Sequence, residues 1–109
     1  MPYDKTLADR IRKVLRRQTL VAEKEMFGGI AFMVRGNVGC GVIEQELMVR
    51  VGPQAHDNAL QEPHVRPFAK TGRPSKGWVM IGPRGVASDA DLKKWVQRGV
   101  EFALTLPAK

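Results

Sequence analysis

The chain has 109 residues, with 18 Lys or Arg against 11 Asp or Glu, a formal charge of +7 and a pI near 10.1. That length fits one domain over residues 1–109 and no second, and 43% apolar with 27% charged residues excludes a disordered or membrane-embedded chain. A single cysteine, Cys40, excludes an internal disulfide and a cysteine-cluster zinc site.

Asp4 predicts the cap of a helix that runs to about Arg17, its carboxylate accepting from the free amides of the first turn. Leu7, Ile11, Val14 and Leu15 form one apolar stripe at helical spacing. Lys5, Arg10, Arg12, Lys13, Arg16 and Arg17 make the outer face basic. From Glu23 the period becomes two, with Ile30, Phe32 and Val34 alternating with Ala31, Met33 and Arg35. Gly28-Gly29 has no polar turn residue beside it and reads as a bulge within one long strand. Gly36-Asn37 reads as a type II′ hairpin turn. Val38, Cys40 and Val42 then point one way and Gly39 and Gly41 the other. Glu44-Gln45-Glu46 turns the chain, and Leu47, Val49 and Val51 alternate with Met48 and Arg50.

Gly52-Pro53 is expected to open a second helix carrying Ala55, Ala59 and Leu60, stopped by Pro63. Pro63 to Gly77 is loop-like, with a short strand around Phe68, and Gly77 to Ile81 is a further strand. After the turn Gly82-Pro83-Arg84-Gly85, Ser88 and Asp91 start the last helix as a capping-box-like pair. Leu92, Trp95, Val96, Val100 and Ala103 line its inner face, and Pro107 ends it. The expected order is αβββαββα. It implies an α+β, two-layer domain with a five-stranded antiparallel sheet and helices on one face.

Met26-Phe27-Gly28-Gly29-Ile30-Ala31-Phe32, Gly36-Asn37, Leu47-Met48-Val49-Arg50-Val51-Gly52-Pro53, Thr71-Gly72-Arg73-Pro74 and Lys76-Gly77-Trp78-Val79 stand in an order that closely resembles the TfoX N-terminal domain family. Tyr3-Asp4, Leu7-Ala8-Asp9-Arg10 and the Trp95 helix fit as well. The resemblance implies a fold similar to secretion-chaperone-like domains. It also implies a regulatory role like that of TfoX/Sxy-type competence regulators, which are thought to act with a cyclic-AMP receptor protein at certain promoters. Those two-domain regulators carry a further C-terminal helical domain, so the expectation here is a stand-alone, single-domain member.

Two basic segments are candidate contact sites. Arg10, Arg12, Lys13, Arg16 and Arg17 on the first helix attract phosphates, which makes nucleic acid a candidate partner. No aromatic residues are interleaved for base stacking, and a solvated face explains the same pattern. From Pro63 to Val86 there are Arg66, Lys70, Arg73, Lys76 and Arg84 and no acid. There Arg73 and Lys76, with Trp78 as an apolar wall, could hold a protein partner, or a phosphate-bearing small molecule or other anion. The competing reading is a connection shaped by Gly and Pro, with Trp78 in the core.

Catalytic groupings are poor. His56 and His64 match no ligand spacing and read as surface histidines, Cys40 as a small core residue, and Ser75-Lys76 lacks the spacing of an activated serine. No enzyme activity, metal or cofactor is expected. A sheet face bearing Ala31, Met33, Met48, Gly39 and Gly41 is the candidate surface for a partner or for a homodimer, unless the Pro63–Gly77 segment covers it. The N-terminus lacks the apolar core of a signal peptide, and the longest uncharged run, Met26 to Val34, is nine residues, so a cytoplasmic, non-membrane location is expected. The combined expectation is a non-enzymatic regulatory or adaptor domain that works through protein partners, with a position near DNA as a candidate setting. The alternative is an anion-binding domain that uses the Arg73–Lys76 loop.

Overall fold

Asp4 does cap the first helix, α1 (Lys5–Val14), accepting from the amides of Thr6 at 2.9 Å and Leu7 at 3.2 Å. The computed structural model describes residues 3–16, 21–26, 28–68 and 76–107. Helix α1 stops at Val14, short of Arg17; its apolar stripe ends at Leu15, and Arg16 after it is exposed.

Six antiparallel strands follow rather than five: β1 (Val21–Met26), β2 (Gly29–Val34), β3 (Asn37–Ile43), β4 (Glu46–Arg50), β5 (Val65–Pro67) and β6 (Trp78–Ile81). The extra strand comes from Gly28-Gly29, which is a reversal and not a bulge. Met26 pairs with Gly29, and Gly28 takes φ +76°, the left-handed value that glycine supplies without a polar neighbour. The next hairpin is shifted by one residue from its expected place. Val34 pairs with Asn37, so Arg35 (φ 54°) and Gly36 (φ 85°) form a turn with both central φ values positive, as type I′ requires and type II′ does not. Asn37 is thereby released into β3, where its buried side chain donates to the Pro107 carbonyl at 2.9 Å.

The bulge lies elsewhere. Phe32 pairs with Cys40 and Met33 with Val38, which leaves Gly39 as the extra residue of β3. One added residue flips every side chain before it, so Val38 joins Ala31, Met48, Phe68 and Met80 on the second sheet face, not Cys40 and Val42 on the first. Gly39 in turn faces the last helix.

Pro53 lies in a turn ahead of α2 (His56–Leu60) and does not open it. The chain then runs through β5 at one sheet edge, returns as β6 between β4 and β5, and passes a 3₁₀ turn over Pro83–Val86. Ser88 caps α3 (Asp89–Leu104), accepting from the Asp91 amide at 3.1 Å.

One core cluster joins Leu7 and Ile11 of α1, Ala59 of α2 and Leu92, Trp95 and Val96 of α3 to Phe32, Val42, Leu47, Val49 and Ile81 of the sheet. All three helices therefore share one face of the sheet. On the other face Ala31, Met48 and Met80 are at most 3% exposed, with Phe68 and Trp78 packed beside them. The expected open face is closed over its middle.

Helix α3 meets β3 backbone to backbone. A Cβ at Gly39 would stand 3.2 Å from the Gly99 carbonyl oxygen, and one at Gly99 would run into the Gly39 carbonyl oxygen. In a free helix Gly99→Ala would raise stability by about 1 kcal/mol. Here urea denaturation should show a loss of roughly 2 kcal/mol or more, because an overpacked backbone contact must open.

Candidate functional site

The charge on α1 is unevenly free. Arg12 grips Glu23 of β1 through two hydrogen bonds of 2.9 and 2.8 Å and also donates to Asp9. These bonds raise the Arg12 pKa and hold the Glu23 carboxyl below its usual range against the opposing pull of burial. Arg10 reaches across to the start of α3, donating to the Ala87 carbonyl at 3.3 Å and to Asp89 at 3.2 Å. Of the cations expected to contact nucleic acid, Arg10 and Arg12 are thus bound within the fold, and Arg17 lies outside the described residues. Lys13 and Arg16 are exposed and form no ion pair among the described residues.

These two cations stand on one wall of a groove of about 790 Å³ between α1 and α3. The opposite wall is the stripe Asp89, Lys93, Gln97 and Glu101, and between the walls half-buried Val14 and exposed Leu104 supply accessible apolar surface over the buried Leu15, Leu92 and Val100. Leu104, 39% exposed, is the one large apolar side chain among the described residues that is classed as exposed. Lys93 is exposed and forms no ion pair among the described residues. Sequence reasoning found the α1 wall and missed the α3 wall. Lys93, Gln97, Val100 and Leu104 recur at helical spacing, but only the pairing of α1 with α3 shows that this stripe borders a groove.

The Arg73–Lys76 segment is only partly visible. Lys70 and Arg73 lie outside the described residues, and Lys76 is exposed at the entry to β6. Trp78 is half-buried, its ring 6.1 Å from that of Phe68, with the Arg50 guanidinium 5.1 Å above it and 5.4 Å from Phe102. Arg66 is held by Glu46 through two hydrogen bonds, one of 3.0 Å, which raise its pKa.

His56 is not a surface residue. It is 7% exposed, and its Nδ1 accepts from the Gly77 amide at 3.0 Å, which places the ring proton on Nε2. The Gly77 carbonyl accepts from Val51 at 2.8 Å and Gly52 at 3.1 Å, so His56 completes the clamp that sets the start of β6. No signal in the sequence distinguishes it from His64, which is exposed. Burial pushes the Cys40 thiol up to about 12, which leaves it protonated and a poor nucleophile. Among the described residues, no three His, Cys, Asp or Glu side chains converge as metal ligands, and no helix is long and apolar enough to cross a membrane.

Glu62 joins the loop after α2 to α3, accepting from Lys94 at 3.2 Å and from Arg98, both of which lie over the Trp95 ring. Burial pushes its carboxyl up, but these two donors outweigh that and hold it below its usual range.

Two outcomes follow for stability. The Glu23 and Glu62 carboxyls are held below the ordinary glutamate pKa of 4.5, so their contribution is present above that pH and is lost as pH falls through the lowered values. Melting temperature should therefore drop on acidification from about pH 5 to about pH 3, and Glu23→Gln should flatten the drop. His56→Ala strands the Gly77 amide and should cost about 1–3 kcal/mol in chemical denaturation. His56→Asn, whose Oδ1 falls near the position of Nδ1, should recover part of the loss.

The family model described as TfoX N-terminal domain matches residues 13–103, which leaves most of α1 before Lys13 outside the match but takes in nearly all of the sheet and α3. No curated protein and no solved structure is significantly similar to the chain.

Proposed function

Because the chain belongs to the TfoX N-terminal domain family, we propose that it is a non-enzymatic regulatory or adaptor domain that acts by binding another protein. The regulatory setting, control of transcription in natural competence, and a cytoplasmic location come with the family and are part of the proposal. The observation that carries the reading is the groove between α1 and α3, where Lys13, Arg16 and Lys93 stand beside exposed apolar surface at Leu104. Cations without partners are fully hydrated and soluble by themselves; set around apolar surface they match the composition of a protein-binding rim and core. Two groups elsewhere have structural occupations, His56 holding Gly77 and Cys40 lying inside the core.

A homodimer through the second sheet face has less to work with than expected, since Ala31, Met48 and Met80 are already buried within one copy. Of the Arg73–Lys76 anion site, Arg73 lies outside the described residues and Lys76 is exposed.

The test is capture from the source cells with the tagged whole chain, crosslinked briefly and repeated with excess untagged chain. The expected outcome is one protein or a small set displaced by the untagged chain. Recovery of abundant proteins without displacement would remove the adaptor reading.

A further inference from the structure

We propose that the groove between α1 and α3 receives an amphipathic helix of the partner protein, apolar along one stripe and acidic on its flanks. This rests on the adaptor reading above and adds what the partner must look like.

Length comes first. The groove follows α3 from Asp89 to Leu104, 16 residues, which at 1.5 Å per residue is about 24 Å or four helical turns. Charge comes second. Lys13 and Arg16 stand on the α1 wall and Lys93 on the α3 wall, so the cations flank the floor from both sides. Of the two carboxylates lining the groove, Asp89 is already bound to Arg10, and Glu101 remains near the Leu104 end. A partner with carboxylates facing Lys13 and Arg16 on one flank and Lys93 on the other meets complementary charge away from the Glu101 end.

The backbone argument selects a helix over an extended peptide. Both walls are helices or helix ends, whose backbone groups are bonded within themselves, so an extended segment would find no strand edge to pair with. A helix satisfies its own backbone and presents apolar side chains at i, i+3, i+4 and i+7 to the apolar surface at Val14 and Leu104. Duplex DNA fits less well. Three cations make few phosphate contacts, Glu101 opposes them, and the apolar floor has nothing to pack against on a phosphate backbone.

The test uses the whole chain and fluorescence anisotropy at about 0.15 M salt. The probe is a labelled helix-forming peptide of roughly 15 residues, with Leu at helical spacing and Glu on both flanks. Its controls are the same composition scrambled, the same helix with Lys for Glu, and a duplex of about 20 base pairs. The expected result is saturable binding of the Glu/Leu helix, about tenfold or more weaker for the scramble and absent for the Lys version. Lys13→Glu with Lys93→Glu should weaken binding by about tenfold or more, and Lys24→Glu on β1 should leave it unchanged. Thermal melts confirm that the variants fold. Leu104→Asp should weaken binding without the two charge reversals.

Equal binding of helix and scramble would overturn the proposal, as would indifference to the charge reversals. So would displacement of the peptide by the duplex at lower concentration, or self-association of the chain that Leu104→Asp abolishes. If these tests fail while cellular capture still yields a displaceable partner, the groove assignment falls and the adaptor reading stands. If capture fails as well, both fall.

Discussion

Helix α3 lies against β3 where Gly39 and Gly99 meet without side chains between them, and the placement of the other elements follows from that approach. A helix packed on a sheet ordinarily stands off by the thickness of interleaved side chains. Here that layer is missing at one point, so Trp95, Val96 and Val100 sink against the sheet on either side of it. The approach needs the β-bulge, because only the extra residue turns Gly39 toward the helix while Cys40 keeps its place in the core. Bulge, glycine pair and buried helix are one device.

The groove depends on this device. With α3 seated deep on β3, its Lys93–Gln97–Leu104 stripe sits beside α1, and the Arg10 bonds to Ala87 and Asp89 fix the two helices together at the start of α3. Arg12, on the other side of α1, ties that helix to β1 through Glu23. Each of these partly exposed ion pairs contributes modestly to stability, at most about 1 kcal/mol. Their effect is to consume charge in fixed places, so that Arg10 and Arg12 are held while Lys13 and Arg16 stay unpaired at the groove.

A similar economy governs the entry to β6. His56 reaches from α2 to the Gly77 amide, and Gly77 returns two hydrogen bonds through its carbonyl to Val51 and Gly52. Phe102 of α3 packs so closely on Gly52 that a side chain there would collide with its ring. The final helix, the second helix and the last inserted strand are thus held by one small knot of backbone bonds. Arg50, between the rings of Trp78 and Phe102, closes its outer side.

Local chemistry was readable wherever it is carried by residues near in sequence. The Asp4 and Ser88 caps, the apolar stripes of α1 and α3, the period-two strands and the antiparallel α+β architecture all follow from spacing alone. So does the excess of positive charge and its concentration in α1. What spacing could not supply is register and partnership. Gly28-Gly29 and Gly39 are alike in sequence as glycines among apolar residues, yet one makes a reversal and the other a bulge, because pairing across strands decides which residue is left over. Likewise six arginines and lysines on or just beyond one helix look equivalent until the fold brings Glu23 to Arg12 and Asp89 to Arg10. The sequence by itself determined the elements and the sign of the charge. Only tertiary structure decided that Arg10 and Arg12 are held while Lys13 and Arg16 border a groove, since this depends on pairing between elements, Arg12 with Glu23 of β1 and Arg10 with the start of α3 more than 70 positions away.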